Sequence, residues 1–198
     1  MRRPLFSRGY EVFSRAEDRI ISGYREETAG GARGRVLEIG AGNGLNFARY
    51  RDARVIALEP VADMLPRARA RAVEAPVPVH LVRGVAEALP FDEEAFDTVV
   101  VSLVMCSVPD PAGVAAEIRR VLKPGGQVRF FEHVRAHDPR LARRQDRIGP
   151  LYTRFTGGCR MNRDTLTVLR LAGFRVRYRR LSYGPKHLPH VIGVATPP

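Results

Sequence analysis

The chain has 198 residues, 44% of them hydrophobic and 27% charged, which suits one folded domain with a full core. No apolar stretch reaches the roughly 20 residues of a membrane-spanning helix, the first 20 residues hold no signal-peptide core, and two cysteines, Cys106 and Cys159, are too few for a disulfide framework, so a cytoplasmic domain with free thiols is expected. The net charge of +12 is unevenly placed, because the segment after His133 holds 14 basic residues and three acids, a net +11.

In chain order, Phe13, Ile20, Ile21 and Tyr24 give an apolar stripe to a helix over Tyr10–Thr28, closed by Gly30-Gly31. Strands and helices then alternate. Strands are predicted at Val36–Ile39, Arg54–Leu58, Val79–Val82, Thr98–Leu103 and Gln127–Val134. Helices are predicted from Leu45 to Tyr50, Val61–Val73 and Pro111–Leu122, the last stopped by Lys123-Pro124-Gly125-Gly126. The run TVVVSL is apolar nearly throughout, as a strand covered on both faces must be. This alternation predicts an α/β fold with a doubly wound, mostly parallel sheet. Beyond it come a charged helix over Arg140–Ile148, a helix over Asp164–Leu171, and strands at Phe174–Leu181 and Val191–Ala195 joined by a loop over Ser182–His190. With no helix between them, these last two strands predict an antiparallel hairpin at the sheet edge and bring the total to seven.

The loop after the first strand reads VLEIGAGNGLNF. In an open α/β sheet, ligands bind at the carboxyl ends of strands near the topological switch point. Gly40, Gly42 and Gly44 are spaced G-x-G-x-G, whereas the dinucleotide fingerprint G-x-G-x-x-G would need glycine at position 45, which is Leu45. Glu38, just before the loop, would repel a pyrophosphate but accept hydrogen bonds from an ammonium group. A cationic, phosphate-free nucleotide therefore fits better than a dinucleotide, and S-adenosylmethionine is such a molecule. Glu59, at the end of the second strand, can bind two ribose hydroxyls, a feature shared with dinucleotide folds.

These motifs resemble the class I S-adenosylmethionine-dependent methyltransferases, specifically the type 11 group, from about Arg35 to Ala195. VLEIGAGNG matches E-x-G-x-G-x-G, which implies that Glu38, Gly40, Ala41, Gly42, Asn43, Gly44 and Asn46 hold the amino acid end of the donor. LEPVADML implies that Glu59 and Pro60 meet the ribose and that Met64 lines the adenine. GVAEALPF places Ala86 and Glu87 beside the adenine. Position 85 is Val where the family has Asp, so Glu87 or a backbone carbonyl must take the adenine amino group. FDTVVVSLVMCSVPD implies that Ser102 and Leu103 meet the methionine end. The resemblance also implies a Rossmann-like seven-stranded sheet in a single domain over 1–198. Within it, 1–34 form an N-terminal helical lid, 35–134 the cofactor-binding core, and 135–198 a basic substrate lid with the closing hairpin.

LVMCSV, FFEHV, GGCRMNRDTL, AGF and PHVIGVA together resemble a narrower subgroup. It includes animal methyltransferase-like proteins that methylate small alkyl thiols and carry an N-terminal hydrophobic anchor, which residues 1–20 here do not contain. Bacterial members act on phospholipids and natural products. A small thiol is thus the first expected acceptor, and a phospholipid amine or a natural-product hydroxyl or amine the second. Nucleic-acid amine methyltransferases show N/D-P-P-Y/F after the fourth strand, where this chain has Ser102-Leu103-Val104-Met105.

Methyl transfer from a sulfonium is an in-line displacement, helped by a base when the nucleophile begins protonated. His133 ends the fifth strand on the expected substrate edge and is the candidate base, although it could equally cap the strand. Neighbouring strand residues point to opposite faces, so Glu132 is not expected to act with it. Cys106, Arg160, Asn162, His190 and Tyr10 are the candidate substrate contacts. Each also has a structural alternative: Cys106 as a small buried residue, Arg160 as a solvated cation, Asn162 as an N-cap, His190 as a packed histidine, Tyr10 as core. No CxxC or acidic cluster indicates a metal, and His133 and His137, four apart, fall at a strand end and in the turn after it, not on one helix face. The basic C-terminal third can draw an anionic substrate or membrane surface, or can be a solvated arginine face, since 31 of the 33 basic residues are Arg. No specific nucleic-acid partner is expected.

Overall fold

The structure, a computed structural model, describes residues 4–156, 158–181 and 189–198, without the side chains of residues 4–10, 12, 13, 15–17 and 155. Helix α1 spans Pro4–Ala29 and so starts earlier than the apolar stripe suggests. The proline supplies the reason, because its fixed φ and missing N–H suit the first turn of a helix. The side chains of Tyr10 and Phe13 and most of the Ser182–His190 loop lie outside the described residues.

Seven strands form one sheet in the order β3-β2-β1-β4-β5-β7-β6. They are β1 (Gly34–Ile39), β2 (Ala53–Leu58), β3 (Val79–Val82), β4 (Phe96–Ser102), β5 (Leu122–His133), β6 (Arg175–Leu181) and β7 (His190–Thr196). The first five run parallel, and β7 lies antiparallel between β5 and β6. The expected hairpin is therefore present. Helices α2 (Leu65–Val73), α3 (Pro111–Val121), α4 (Pro139–Phe155) and α5 (Thr165–Leu171) complete the fold.

Successive β1 and β4 residues enter different cores. Leu37, Ile39, Val99 and Val101 pack on one face with Phe130, Ile118 and Leu169; Val36 and Val100 pack on the other with Phe47, Tyr50 and Val55. Each fully buried aliphatic side chain contributes about 1.5–3 kcal/mol, so apolar runs on these strands specify a sheet covered twice. The edge strand β6 instead exposes Arg175, Arg177, Arg179 and Arg180, a charge pattern that discourages pairing with another chain.

Two Asp-Pro pairs set helix starts. Asp110 accepts hydrogen bonds from the amides of Ala112 and Gly113, and Asp138 from those of Arg140 and Leu141. Each such cap is worth about 1 kcal/mol. Helix α4 runs seven residues past the expected Ile148, with Pro150 inside it on the exposed side. Leu45–Tyr50 forms only a 3-10 turn, Phe47–Arg49. Gly44 at φ +85° before it and extended Tyr50 after it leave no room for an α-helical turn. Val61–Val73 likewise divides into a 3-10 turn, Ala62–Met64, and α2, with Pro66 in the first turn of α2. Strand β5 begins at Leu122 rather than Gln127, through an irregular register opposite Phe96 and Thr98.

Candidate active site

The strand order turns back between β1 and β4, so their carboxyl ends define the crevice. The glycine loop fills its β1 side. Gly40, Gly42 and Gly44 all have left-handed φ values of 66°, 57° and 85°, a region that costs an L-residue roughly 1–2 kcal/mol. A Cβ on Gly40 would also lie 2.6 Å from Cγ2 of Val104, just past β4.

Beneath the loop, Glu38 is 2% exposed and accepts hydrogen bonds from Asn46 Nδ2 (2.7 Å) and the Tyr50 hydroxyl (3.0 Å). Burial pushes its carboxyl up to about 7, with the two donors pulling it back only in part. Asn46 in turn accepts from Arg25 of α1 at 3.0 Å. Asn43 donates to Glu11 and Ser14 of α1, and Arg71 of α2 bonds both Glu11 and the Asn43 carbonyl. The loop is thus held from α1 and α2 as well as from β1. Sequence reasoning missed Glu11, Ser14, Arg25 and Tyr50, since their link to the loop depends on how α1 lies across it.

Glu59 caps β2. Its Oε2 accepts from Gly42 N (2.8 Å) and its Oε1 from Val61 N (2.7 Å), and burial raises its pKa. Pro60 adjoins it half-buried, Met64 is 3% exposed and Ala86 6%. Val85, in the position where the family carries Asp, is half exposed. By contrast, Glu87 Oε1 and Ser102 Oγ are buried without a hydrogen-bond partner among the described residues. Leu103 adopts φ +59°, unusual for a residue other than glycine and of a kind that clusters at functional sites.

The β4–β5 side is organised by Glu132, which sequence reasoning set aside. Its carboxylate accepts from the amides of Val104 (2.7 Å), Met105 (2.9 Å) and Cys106 (3.3 Å). Glu132 and His133 therefore do converge, through the turn that carries Cys106. Cys106 Sγ lies 3.8 Å from His133 Nδ1 and 3.3 Å from Cys159 Sγ, and Cys159 Sγ is 3.5 Å from the same nitrogen. Opposite His133 in the β5–β7 ladder is His190, whose ring centroid is 4.1 Å away and which stacks on Phe131.

Desolvation first, and neighbouring His190 second, hold His133 well below its usual range, at about 3. The imidazole at the candidate base position is therefore neutral. One expectation changes. Asn162 does not cap α5; Asp164 does, accepting from Thr167 N, while Asn162 donates to Asp146. The Arg160 side chain is exposed, and it is the Arg160 backbone N–H that reaches the Cys106 carbonyl, at 2.7 Å. Arg163 donates to the carbonyls of Met105 and Val108.

The methyltransferase domain model described as type 11 matches residues 37–130. Human thiol S-methyltransferase TMT1B is 32% identical over 176 residues, covering 83% of this chain and 72% of that protein. The chain belongs to the class I S-adenosylmethionine-dependent methyltransferases of the type 11 group. A phosphatidylethanolamine N-methyltransferase from Cereibacter sphaeroides is 39% identical over 103 residues, about half of each chain. Among solved structures, a [4+2]-cyclase, SpnF, superposes with a TM-score of 0.72 at 22% identity, over 93% of this chain and 82% of its own. An S-adenosylmethionine-dependent methyltransferase from Thermotoga maritima does so at 0.66 and 24%, over 96% and 99%. These two likenesses concern the fold. In this methyltransferase, S-adenosylmethionine suits the groups present: left-handed glycines that allow close approach, and the oxygens of Glu38, Glu59, Glu87 and Ser102 near the carboxyl ends of β1 to β4. No helix among the described residues is long and apolar enough to cross a membrane.

Proposed function

We propose that this methyltransferase moves the methyl group of S-adenosylmethionine to the sulfur of a small thiol. The observation that carries the reading is the 32% identity to a thiol S-methyltransferase over 83% of the chain, far beyond the cofactor half at residues 37–130. The chemistry at the β4–β5 edge supports it. The Glu132 carboxylate accepts from three amides there and so holds the turn that carries Cys106. The wall is built of sulfur and imidazole from Cys106, Cys159, His133 and His190, which suits a soft nucleophile. A thiol also ionises near neutral pH and so asks less of a base than a hydroxyl does.

In this reading the glycine loop and Glu38 hold the amino acid end, Glu59 and Pro60 the ribose, Met64, Ala86 and Glu87 the adenine, and Ser102 and Leu103 the methionine chain. The orphaned Glu87 Oε1 supports its taking the adenine amino group in place of an acid at Val85. Helix α1, tied to Asn43 and Asn46, serves as the lid over the donor, and the segment from Asp138 to Arg163 shapes the acceptor side.

The test is S-adenosylhomocysteine release with a panel of alkyl thiols, phosphatidylethanolamine vesicles and phenols. Turnover with thiols, and little with the others, is expected. Turnover with the phospholipid and none with any thiol would sink the reading.

A further inference from the structure

We propose that Cys106, His133 and Cys159 form a binding site for a zinc ion, with one coordination position left open for the sulfur of the acceptor; the second clause rests on the thiol reading above. The three residues come from three separate parts of the chain. Cys106 lies in the turn after β4 whose amides Glu132 holds, and His133 is the last residue of β5. Cys159 lies between α4 and α5, anchored by Thr153 Oγ1 donating to its carbonyl (3.0 Å) and by Arg160 N donating to the Cys106 carbonyl (2.7 Å). No linear motif announces the site, because the fold rather than the spacing brings the ligands together.

The ligand atoms form a triangle with edges of 3.3 Å (Cys106 Sγ to Cys159 Sγ), 3.5 Å (Cys159 Sγ to His133 Nδ1) and 3.8 Å (Cys106 Sγ to His133 Nδ1). A tetrahedral zinc with Zn–S of about 2.3 Å and Zn–N of about 2.0–2.1 Å requires edges of about 3.7 Å between sulfurs and about 3.5 Å between sulfur and nitrogen. The sulfur–sulfur edge must open by roughly 0.4 Å and the Cys106–His133 edge must close by roughly 0.3 Å. All three residues are buried, Cys106 to 1% exposure and the other two to 6%, so an ion there would be shielded from bulk water. Two thiolates and an imidazole select zinc over hard cations such as magnesium or calcium. Among the described residues the group has three members. Three protein ligands with an open fourth position are the pattern of catalytic rather than structural zinc.

On binding, zinc displaces one proton from each cysteine to solvent. An acceptor thiol entering the fourth position loses its proton to solvent and becomes a zinc-bound thiolate. Its sulfur lone pair forms the new S–CH3 bond while the methyl–sulfonium bond breaks, the electron pair staying on the donor sulfur as S-adenosylhomocysteine. The thioether product is neutral and a weak ligand, so it leaves. No electrons are gained or lost overall.

The test uses reduced, metal-depleted protein. Zinc is titrated against a chromophoric chelator, and cobalt(II) is added to a second sample for its visible spectrum. One zinc per chain is expected, with sulfur-to-cobalt charge-transfer bands and d–d intensity typical of a tetrahedral site. Cys106→Ser, Cys159→Ser and His133→Ala should each weaken zinc at least 100-fold, with circular dichroism confirming that they fold. Absence of stoichiometric zinc, or zinc affinity unchanged in the double Cys→Ser variant, overturns the site. Thiol turnover that is equal with and without zinc overturns its role while leaving the thiol reading intact. Stoichiometric zinc on these residues without turnover of any thiol upholds the site and rejects the acceptor.

Discussion

Glu38 carries a cost that the structure allows to be measured. Its carboxyl sits at about 7 in the fold, against 4.5 when exposed, because burial disfavours the charged form. The folded state therefore holds this proton more tightly than the unfolded state. Its contribution to stability is fully present below pH 4.5, declines as the pH rises towards 7, and is gone above that. The shift of about 2.5 units corresponds to about 3 kcal/mol at 1.36 kcal/mol per unit, of which about 2.5 kcal/mol falls between pH 5 and pH 8. Glu38→Gln removes the titration and keeps an acceptor for Asn46 or Tyr50. Urea unfolding of both proteins at pH 5 and pH 8 should show the stability difference moving in favour of the variant by about 2–3 kcal/mol at the higher pH. In the same variant, S-adenosylmethionine affinity should fall about tenfold or more at pH 8, because a cation loses its carboxylate. A stability difference that stays flat between the two pH values would refute the account of Glu38 as a charge buried for the cofactor.

Three further outcomes follow from other contacts. Gly40→Ala should lose about 2–4 kcal/mol, from left-handed strain and the collision with Val104; Val104→Ala in the same chain should recover the collision part alone, read by thermal unfolding and calorimetry with the cofactor. Glu59→Ala should weaken S-adenosylmethionine roughly 10- to 100-fold, the worth of hydrogen bonds to a charged group, and unchanged affinity would remove Glu59 from the ribose site. Arg163→Ala leaves the carbonyls of Met105 and Val108 without their donor, and should lower the melting temperature by about 4–8 °C; a shift below about 1 °C would show that the tie contributes nothing.

The cofactor half was legible because its signals are local. Strand, acid and glycine turn follow one another in VLEIGAGNG, and each can be read from its nearest neighbours in the sequence. Short-range chemistry likewise fixed the helix starts at Asp110-Pro111 and Asp138-Pro139. Errors arose where an element's extent depends on its surroundings. Leu45–Tyr50 has helical spacing, yet the preceding left-handed glycine and the extended Tyr50 leave only a 3-10 turn. That Tyr50 then reaches Glu38 could not be read from spacing.

The β4–β5 edge was less legible for a different reason. Alternation along β5 correctly separates Glu132 from His133 at the strand, and from that separation independence was expected. The separation ends where the chain from β4 turns across the end of β5. Glu132 holds the backbone of this turn and His133 flanks its side chain, so residues on opposite faces converge on Cys106. Cys159 joins them only because α4 returns the chain to the same edge and Arg160 pins it there. Sequence periodicity assigns a face to each residue along an element. It does not report which loops close over the end of that element, and here Cys106, His133 and Cys159 meet where they do.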